Sequence, residues 1–107
     1  MMIARLWHGW TTKENADMYE NLLKSEVFPG IEKMKVSGYK KISLLRRPLG
    51  DEVEFITIMI FDHWKAVKDF AGEDYEKSYV PEKARRVLLR HDDSSQHYEI
   101  RHELKYS

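Results

Sequence analysis

The chain has no cysteine among its 107 residues, so disulfide bonds, thiolate nucleophiles and cysteine-based zinc sites are excluded. Neither sign of charge is in excess, because 18 Lys and Arg residues balance 18 Asp and Glu residues. Proteins that bind nucleic acid, or that attract an anionic membrane by charge, carry a basic excess that is missing here. We therefore expect no nucleic-acid partner and no membrane partner.

Long hydrophobic segments are also missing. The longest apolar run, residues 53–61, is far shorter than the roughly 20 residues that span a bilayer. The N-terminal sequence MMIAR lacks the apolar stretch and cleavage site of a signal peptide, so a cytoplasmic location is expected. The length suits one domain over residues 1–107, with a single core and no linker or internal repeat.

The apolar run 53–61 is the centre of the predicted fold. It has no Gly or Pro and is rich in β-branched and aromatic residues, which is typical of a β-strand. Alternate residues form two apolar faces, with Phe55, Thr57, Met59 and Phe61 on one and Ile56, Ile58 and Ile60 on the other. A strand that is apolar on both faces is predicted to lie centrally in a sheet covered on both sides.

The remaining elements follow from periodicity and from turn residues. A capping-box pattern at Thr11–Glu14 predicts a helix start, and Pro29 is expected to interrupt that helix. Asp62 is the expected N-cap of a second helix that Gly72 closes. The predicted strands are 3–10, 39–47, 53–61 and 97–104, and the predicted helices are 11–27, 62–72 and a short one over 81–88.

This β-α-β-β-α-β order predicts an α+β, ferredoxin-like antiparallel sheet in spatial order 4-1-3-2, with both helices on one face. The central strands are nevertheless apolar on both faces, and a chain this short has no element left for the second face. A second copy packed sheet to sheet would cover it. We therefore expect a homodimer that associates through the sheet face.

Several short segments carry a family resemblance over nearly the whole chain. They are RLWHG at 5–9, VFPG at 27–30, LRR at 45–47, FAGED at 70–74, VP at 80–81 and HYEI at 97–100. With these segments the chain resembles the antibiotic biosynthesis monooxygenase-type domains of the dimeric α/β-barrel superfamily. The resemblance implies a dimeric barrel, no cofactor and a cofactor-independent monooxygenase that acts on a small aromatic or quinol. A non-catalytic small-molecule-binding or stress-related module, and a protein that only associates, are the alternatives.

Another branch of the superfamily degrades haem with an Asn on the first strand and a Trp and a His around the second helix. No Asn lies within residues 3–10, and a rough alignment places Phe70 and Val80 at the Trp and His positions. The resemblance therefore implies that this chain lacks the residue set for haem degradation.

Candidate site residues converge in the predicted sheet, where the first strand ends beside the start of the fourth. His8 and Trp10 are expected near His97 and Tyr98, and Arg47 and Phe70 at the same end. Imidazoles titrate near neutral pH, so His8 and His97 are the candidate catalytic groups for proton transfer. Arg47 would pair with a ligand oxyanion. Trp10, Phe70 and Tyr98 would line the pocket.

All of these residues except Tyr98 also have a structural interpretation. His8 fits a hydrogen bond within the sheet, His97 a strand start, and Trp10 and Phe70 the core or a dimer contact. Arg47 fits a solvated strand end. The five histidines show no helical i, i+4 pair, so no metal site is predicted.

Overall fold

A computed structural model describes residues 1–107. The strands are β1 (Ile3–Thr12), β2 (Tyr39–Leu49), β3 (Glu52–Phe61), β4 (Leu88–His91) and β5 (Gln96–Glu99). The helices are α1 (Ala16–Leu22), α2 (Phe28–Lys33), α3 (Trp64–Ala71) and α4 (Glu82–Arg85). A π-helical turn, Leu23–Val27, joins α1 directly to α2. No helix is long and apolar enough to cross a membrane.

The sheet is antiparallel in the order β2-β3-β1, and β4 and β5 share the remaining edge of β1. This confirms the predicted α+β, ferredoxin-like arrangement, with two short strands at the edge of β1 where one fourth strand was predicted. β4 pairs with residues 9–11 of β1 and β5 with residues 3–6. A ten-residue strand exposes backbone groups along its whole edge, and two short strands pair with both halves.

The C-terminal part of the chain differs from the prediction in two ways. The short helix ends at Arg85 rather than near residue 88, and Leu88–His91 is a strand. The last strand ends at Glu99, and residues 100–107 form no regular structure. The one backbone bond of this last segment runs from the Ile100 N–H to the Met2 carbonyl, at 2.9 Å.

The helices cover one face of the sheet, and the core lies beneath them. Alternate residues of β3 from Val53 to Phe61 point into this core, as do Ile3 and the other odd-numbered residues of β1. Two apolar clusters result: Ala16, Tyr19, Leu23, Val53, Phe55 and Ala84, and Ile3, Met59, Phe61, Ala66 and Val67.

The opposite face of the sheet carries no helix, and we call it the open face. Its central residues are Ala4, Leu6, His8 and Trp10 of β1 and Ile56, Ile58 and Ile60 of β3, all half-buried in the single chain. The two apolar faces predicted for residues 53–61 are thus both present. Only one of them is covered within the chain.

Helix boundaries differ from the sequence patterns in three places. Thr11 lies in β1 and its hydroxyl donates to the Thr12 carbonyl, so α1 starts later, with Asn15 as N-cap. His63, not Asp62, caps α3, because its Nδ1 accepts the Ala66 N–H at 3.0 Å. Pro29 does not end the first helix, since it lies in the first turn of α2, where a missing N–H is tolerated.

Candidate functional site

The register of β5 separates residues that were expected to meet. Arg5 lies opposite His97 and Ala4 opposite Tyr98, whereas His8 lies next to the segment after β4. The prediction that His8 and Trp10 lie beside His97 and Tyr98 is therefore wrong. The physical reason is that β4 occupies the end of β1 where the fourth strand was expected to start, and this moves β5 toward residue 3.

The candidate residues consequently divide between the two faces of the sheet. His8, Trp10, Arg47 and Tyr98 belong to the open face, and Arg47 there forms an ion pair with Glu54 at 2.7 Å. His97 and Phe70 belong to the helix side, where Phe70 packs on Phe61 with 5.7 Å between ring centroids. One pocket cannot contain all six residues. Their catalytic and binding roles stay predictions, now divided between the open face and the helix side of the sheet.

A cleft lies on the helix side, between the sheet and the helices. Its inner chamber has a volume of about 110 Å³, with β1 and β3 as floor and α1, the π-helical turn and the segment before α4 as walls. An outer chamber of about 530 Å³ shares five lining residues with it: Arg5, Val27, Ile31, Tyr79 and Pro81. The inner lining is mostly apolar and includes Trp7, Leu23, Phe28 and Met59.

The π-helical turn forms one wall of the cleft. Leu23, Val27 and the following Phe28 all line the inner chamber. Single π-helical turns inside helices are rare and occur frequently at functional sites. The Ser25 hydroxyl donates to the Asn21 carbonyl at 2.7 Å, a back-bond of a kind that often bends helices. The chain thus departs from regular α-helix where it faces the cleft.

Arg5 is the charged group at the floor of the cleft. The residue is only 7% exposed, and its guanidinium lies 5.5 Å from the centroid of the Phe70 ring. Nη1 donates to the Tyr75 carbonyl at 2.6 Å and contacts His97 Nε2 at 2.9 Å. Burial lowers the pKa of Arg5 to about 10, and no carboxylate contributes an opposing effect. Arg5 is therefore a buried cation with no acidic partner in the chain.

The contact with Arg5 determines the protonation state of His97. A guanidinium can only donate, so His97 Nε2 must be the acceptor and the imidazole is neutral. Burial and the charge of Arg5 lower the pKa of His97 to about 4, against a raising effect of a backbone hydrogen bond with Ser95. The ring packs between Trp64, at 5.8 Å, and Tyr75, at 5.1 Å. Trp64, the first residue of α3, is thus a neighbour of His97.

Further polar groups of the inner chamber were missed by the sequence reasoning. Tyr19 is buried, which raises its pKa, and its hydroxyl makes no hydrogen bond within the protein. The hydroxyls of Ser78 and Ser95 lie 2.9 Å apart, and Thr57 joins them in the lining. Arg5 had a usable signal, because it is a charged residue on the same strand face as Ile3 and Trp7. The sequence held no comparable signal for Tyr19, Thr57, Ser78 or Ser95.

His8 takes part in a separate cluster on the open face. Its Nδ1 lies 2.6 Å from Asp92 Oδ2, which also accepts the His8 backbone N–H at 2.9 Å. The Trp10 ring stacks beside the imidazole, and the Arg90 guanidinium lies 4.6 Å from the Trp10 centroid. Asp92 thereby orients His8. No group of three or more metal-ligating side chains occurs here or elsewhere in the molecule.

No protein-family model and no curated protein sequence matches the chain. Several solved structures do match its fold over nearly the full length. A Bacillus cereus protein assigned to the antibiotic biosynthesis monooxygenases has a TM-score of 0.73 at 12% identity, with 100% of this chain and 98% of that chain covered. A mutant form of SnoaB, a cofactor-independent oxygenase from Streptomyces nogalater, has a TM-score of 0.62 at 13% identity, with 98% of each chain covered.

A third structure is the monooxygenase from the gene ActVA-Orf6 of Streptomyces coelicolor in complex with the ligand nanaomycin D. Its TM-score is 0.60 at 14% identity, with 99% of this chain and 92% of that chain covered. Identities this low establish the architecture and leave the activity open. The chain has the fold of the antibiotic biosynthesis monooxygenase-type proteins.

Proposed function

We propose that this protein is a cofactor-independent monooxygenase that oxidises a small phenol or quinol in the helix-side cleft. The observation that carries the proposal is the Arg5 guanidinium, a buried cation without a carboxylate at the floor of an apolar cleft. A buried unpaired charge is unfavourable, so a site that keeps one is suited to a ligand of opposite charge.

The chemistry needs an electron-rich substrate. A phenol that loses its proton becomes electron-rich enough to react with dioxygen directly, and a nearby cation stabilises the resulting oxyanion. An opposite charge within about 4–6 Å lowers the pKa of such a group by roughly 1–3 units. When a ring C–H of the phenol becomes a quinone carbonyl, one oxygen atom enters the product. The other leaves as water with the two hydrogens of the substrate.

No histidine acts as the base in this proposal. His8 faces away from the cleft, and His97 already accepts from Arg5. The proton instead passes to water through the outer chamber, where Tyr79 is exposed at the mouth. Tyr19 and Thr57 offer hydroxyl groups to the bound substrate. Trp7, Phe28 and Met59 form an apolar surface for its ring.

The structural neighbours support a reaction of this type. One of them is a cofactor-independent oxygenase, and another is a monooxygenase bound to nanaomycin D. Both share the fold over nearly the whole chain. These activities are those of the neighbours, and that this chain has one of the same type is our proposal.

Oxygen uptake tests the proposed function. Metal-free protein is given a panel of phenols, hydroquinones and small fused-ring quinols, and dioxygen consumption is recorded with and without Arg5→Gln. The wild type should consume oxygen with at least one compound, and Arg5→Gln should lose about tenfold or more of that rate. Arg86→Gln is the matched control, because Arg86 is exposed and lines neither chamber. Equal rates for the wild type and Arg5→Gln would contradict the proposal.

A non-catalytic binding protein is the second candidate. It is favoured by one specific feature: the side chains that line the inner chamber include no carboxylate and no imidazole to accept a proton. An unpaired Arg5 suffices for capture of an anion without any reaction. This candidate predicts saturable binding in the cleft and no oxygen consumption with any compound that binds.

We also propose that the working form is a homodimer joined through the open face. In the single chain, Ile56, Ile58 and Ile60 lie uncovered at its centre, and Leu45 and Tyr98 are exposed around them. A second copy would cover these residues by packing its own open face on them. The cleft lies on the other side of the sheet, so dimerisation leaves its mouth free.

A further inference from the structure

We propose that the cleft selects organic monoanions over neutral molecules of the same shape, and that His97 is the positioning residue that fixes Arg5 for this selection. The inference rests on the proposed function for the location of the site. It goes further by naming the charge of the ligand and the residue that controls the Arg5 geometry.

The charge distribution favours one negative charge. Arg5 is the only charged residue among the 15 that line the inner chamber. At the outer rim, Lys83 is paired with Glu26 at 2.9 Å, so these two charges offset each other. Lys77 is the remaining charged group there, and it is exposed to water. A ligand with one delocalised oxyanion would neutralise Arg5, whereas a second buried negative charge would have no partner.

The hydrogen bonds of Arg5 define which of its donors are free. Nη1 has two N–H groups, and its two contacts are the Tyr75 carbonyl and His97 Nε2. Nε and Nη2 have no acceptor within the protein, and Arg5 lines both chambers. These two nitrogens form one side of the planar guanidinium, the geometry that matches a carboxylate or a similar planar oxyanion.

His97 fixes this orientation from the side away from the free donors. It is held by aromatic contacts with Trp64 and Tyr75 and by its place in β5 opposite Arg5. Only a neutral imidazole can accept from Nη1. Burial and the charge of Arg5 hold the pKa of His97 low, against the raising effect of a backbone hydrogen bond with Ser95. A side chain without an acceptor at position 97 would leave Arg5 held by the Tyr75 carbonyl alone.

A dye titration tests the selection by charge. Para-nitrophenol is the probe, because its phenolate absorbs visible light and its neutral form does not. The apparent pKa of the bound dye should be lower than that of the free dye by about one unit or more in the wild type. It should return toward the free value in Arg5→Gln and stay lowered in the control Arg86→Gln. Para-nitrotoluene, which is neutral and similar in shape, should bind at least about tenfold more weakly than the dye at a pH where the dye is ionised.

Two variants at position 97 test the positioning role. His97→Gln keeps an acceptor oxygen and should retain the lowered dye pKa, whereas His97→Phe keeps a ring without an acceptor and should lose most of the effect. Circular dichroism verifies that both variants are folded. If His97→Phe does not fold, the wild type, His97→Gln and His97→Ala are compared instead. An equally lowered dye pKa in the acceptor-free variant would overturn the positioning role.

The outcomes also separate this inference from the proposed oxygenase. A bound dye with an unshifted pKa, equal binding of para-nitrotoluene, or no binding of the dye would overturn selection by charge. A shifted dye pKa together with no oxygen uptake from any phenol would leave the inference intact and contradict the oxygenase. Oxygen uptake without a shift in the pKa of the bound dye would support the oxygenase and overturn the inference.

Discussion

Arg5 and His97 lie opposite one another on β1 and β5, with the guanidinium Nη1 2.9 Å from the imidazole Nε2. This contact joins a cation to a neutral ring, because the guanidinium has no lone pair to offer. It connects the floor of the cleft to the last strand of the sheet. The state of His97 therefore affects both stability and the geometry of the cleft.

The first prediction concerns the pH dependence of stability. The pKa of His97 is about 4 in the folded chain, below its ordinary value of 6.5. Between these values the unfolded chain binds a proton that the folded chain excludes, so the free energy of unfolding falls as pH falls through this window. In His97→Gln, which lacks the imidazole, the free energy of unfolding should fall less over this pH window. Thermal melts of both proteins across the window measure it.

His102→Gln is the control for that experiment, because His102 is exposed in the C-terminal segment. Its melting temperature should follow the wild type at every pH. Carboxylates destabilise all three proteins in acid alike, so only the difference between curves matters. Parallel curves for the wild type and His97→Gln would show that His97 titrates normally.

Tyr19→Phe should separate binding from folding. The Tyr19 hydroxyl has no protein partner, so its removal should change the free energy of unfolding by less than about 0.5 kcal/mol. A lost hydrogen bond to a bound phenol should weaken binding by about two- to tenfold. Urea unfolding and quenching of tryptophan fluorescence by the ligand measure the two effects. A large loss of stability would mean that the hydroxyl has a structural partner instead.

Ile58→Glu should prevent dimerisation. Ile58 lies at the centre of the open face, and burial of a charge between two apolar sheets is strongly unfavourable. Light scattering after size exclusion should give a dimer for the wild type and a monomer for the variant. Met18→Glu, on an exposed position of α1, should remain dimeric. A monomeric wild type would remove the proposed cover of the open face.

His8→Gln distinguishes the two faces of the sheet. His8 is bonded to Asp92 on the open face, so its replacement should alter the dimer affinity and leave ligand binding in the cleft unchanged. Sedimentation at several protein concentrations measures the first effect, and the dye titration measures the second. If His8→Gln abolished dye binding, the functional site would lie on the open face after all.

The topology was predictable because several independent patterns agreed. The apolar run 53–61, the turn residues Gly50 and Asp51 between β2 and β3, and the helix end at Gly72, with φ of +87°, each fixed one part of the order. The apolarity of Ile56, Ile58 and Ile60 also correctly indicated a second face without cover. Each of these signals comes from residues that are close together in the sequence, so it does not depend on how distant strands pair.

The site was less predictable because it depends on pairing register and on which face is buried. Both faces of residues 3–10 are apolar, so periodicity alone cannot show that Arg5 points to the helices and His8 away from them. The position of β5 depends on β4, and residues 87–90 have a pattern that also fits a helix. Arg5 acquires its role only when the register places His97 opposite it.

The most direct test of the account is a crystal structure of the protein grown with para-nitrophenol above the pKa of the dye. The account predicts the ring in the inner chamber beside Trp7, with the phenolate oxygen about 3 Å from Nε or Nη2 of Arg5. Dye bound on the open face beside His8 and Trp10, with an empty cleft, would contradict it.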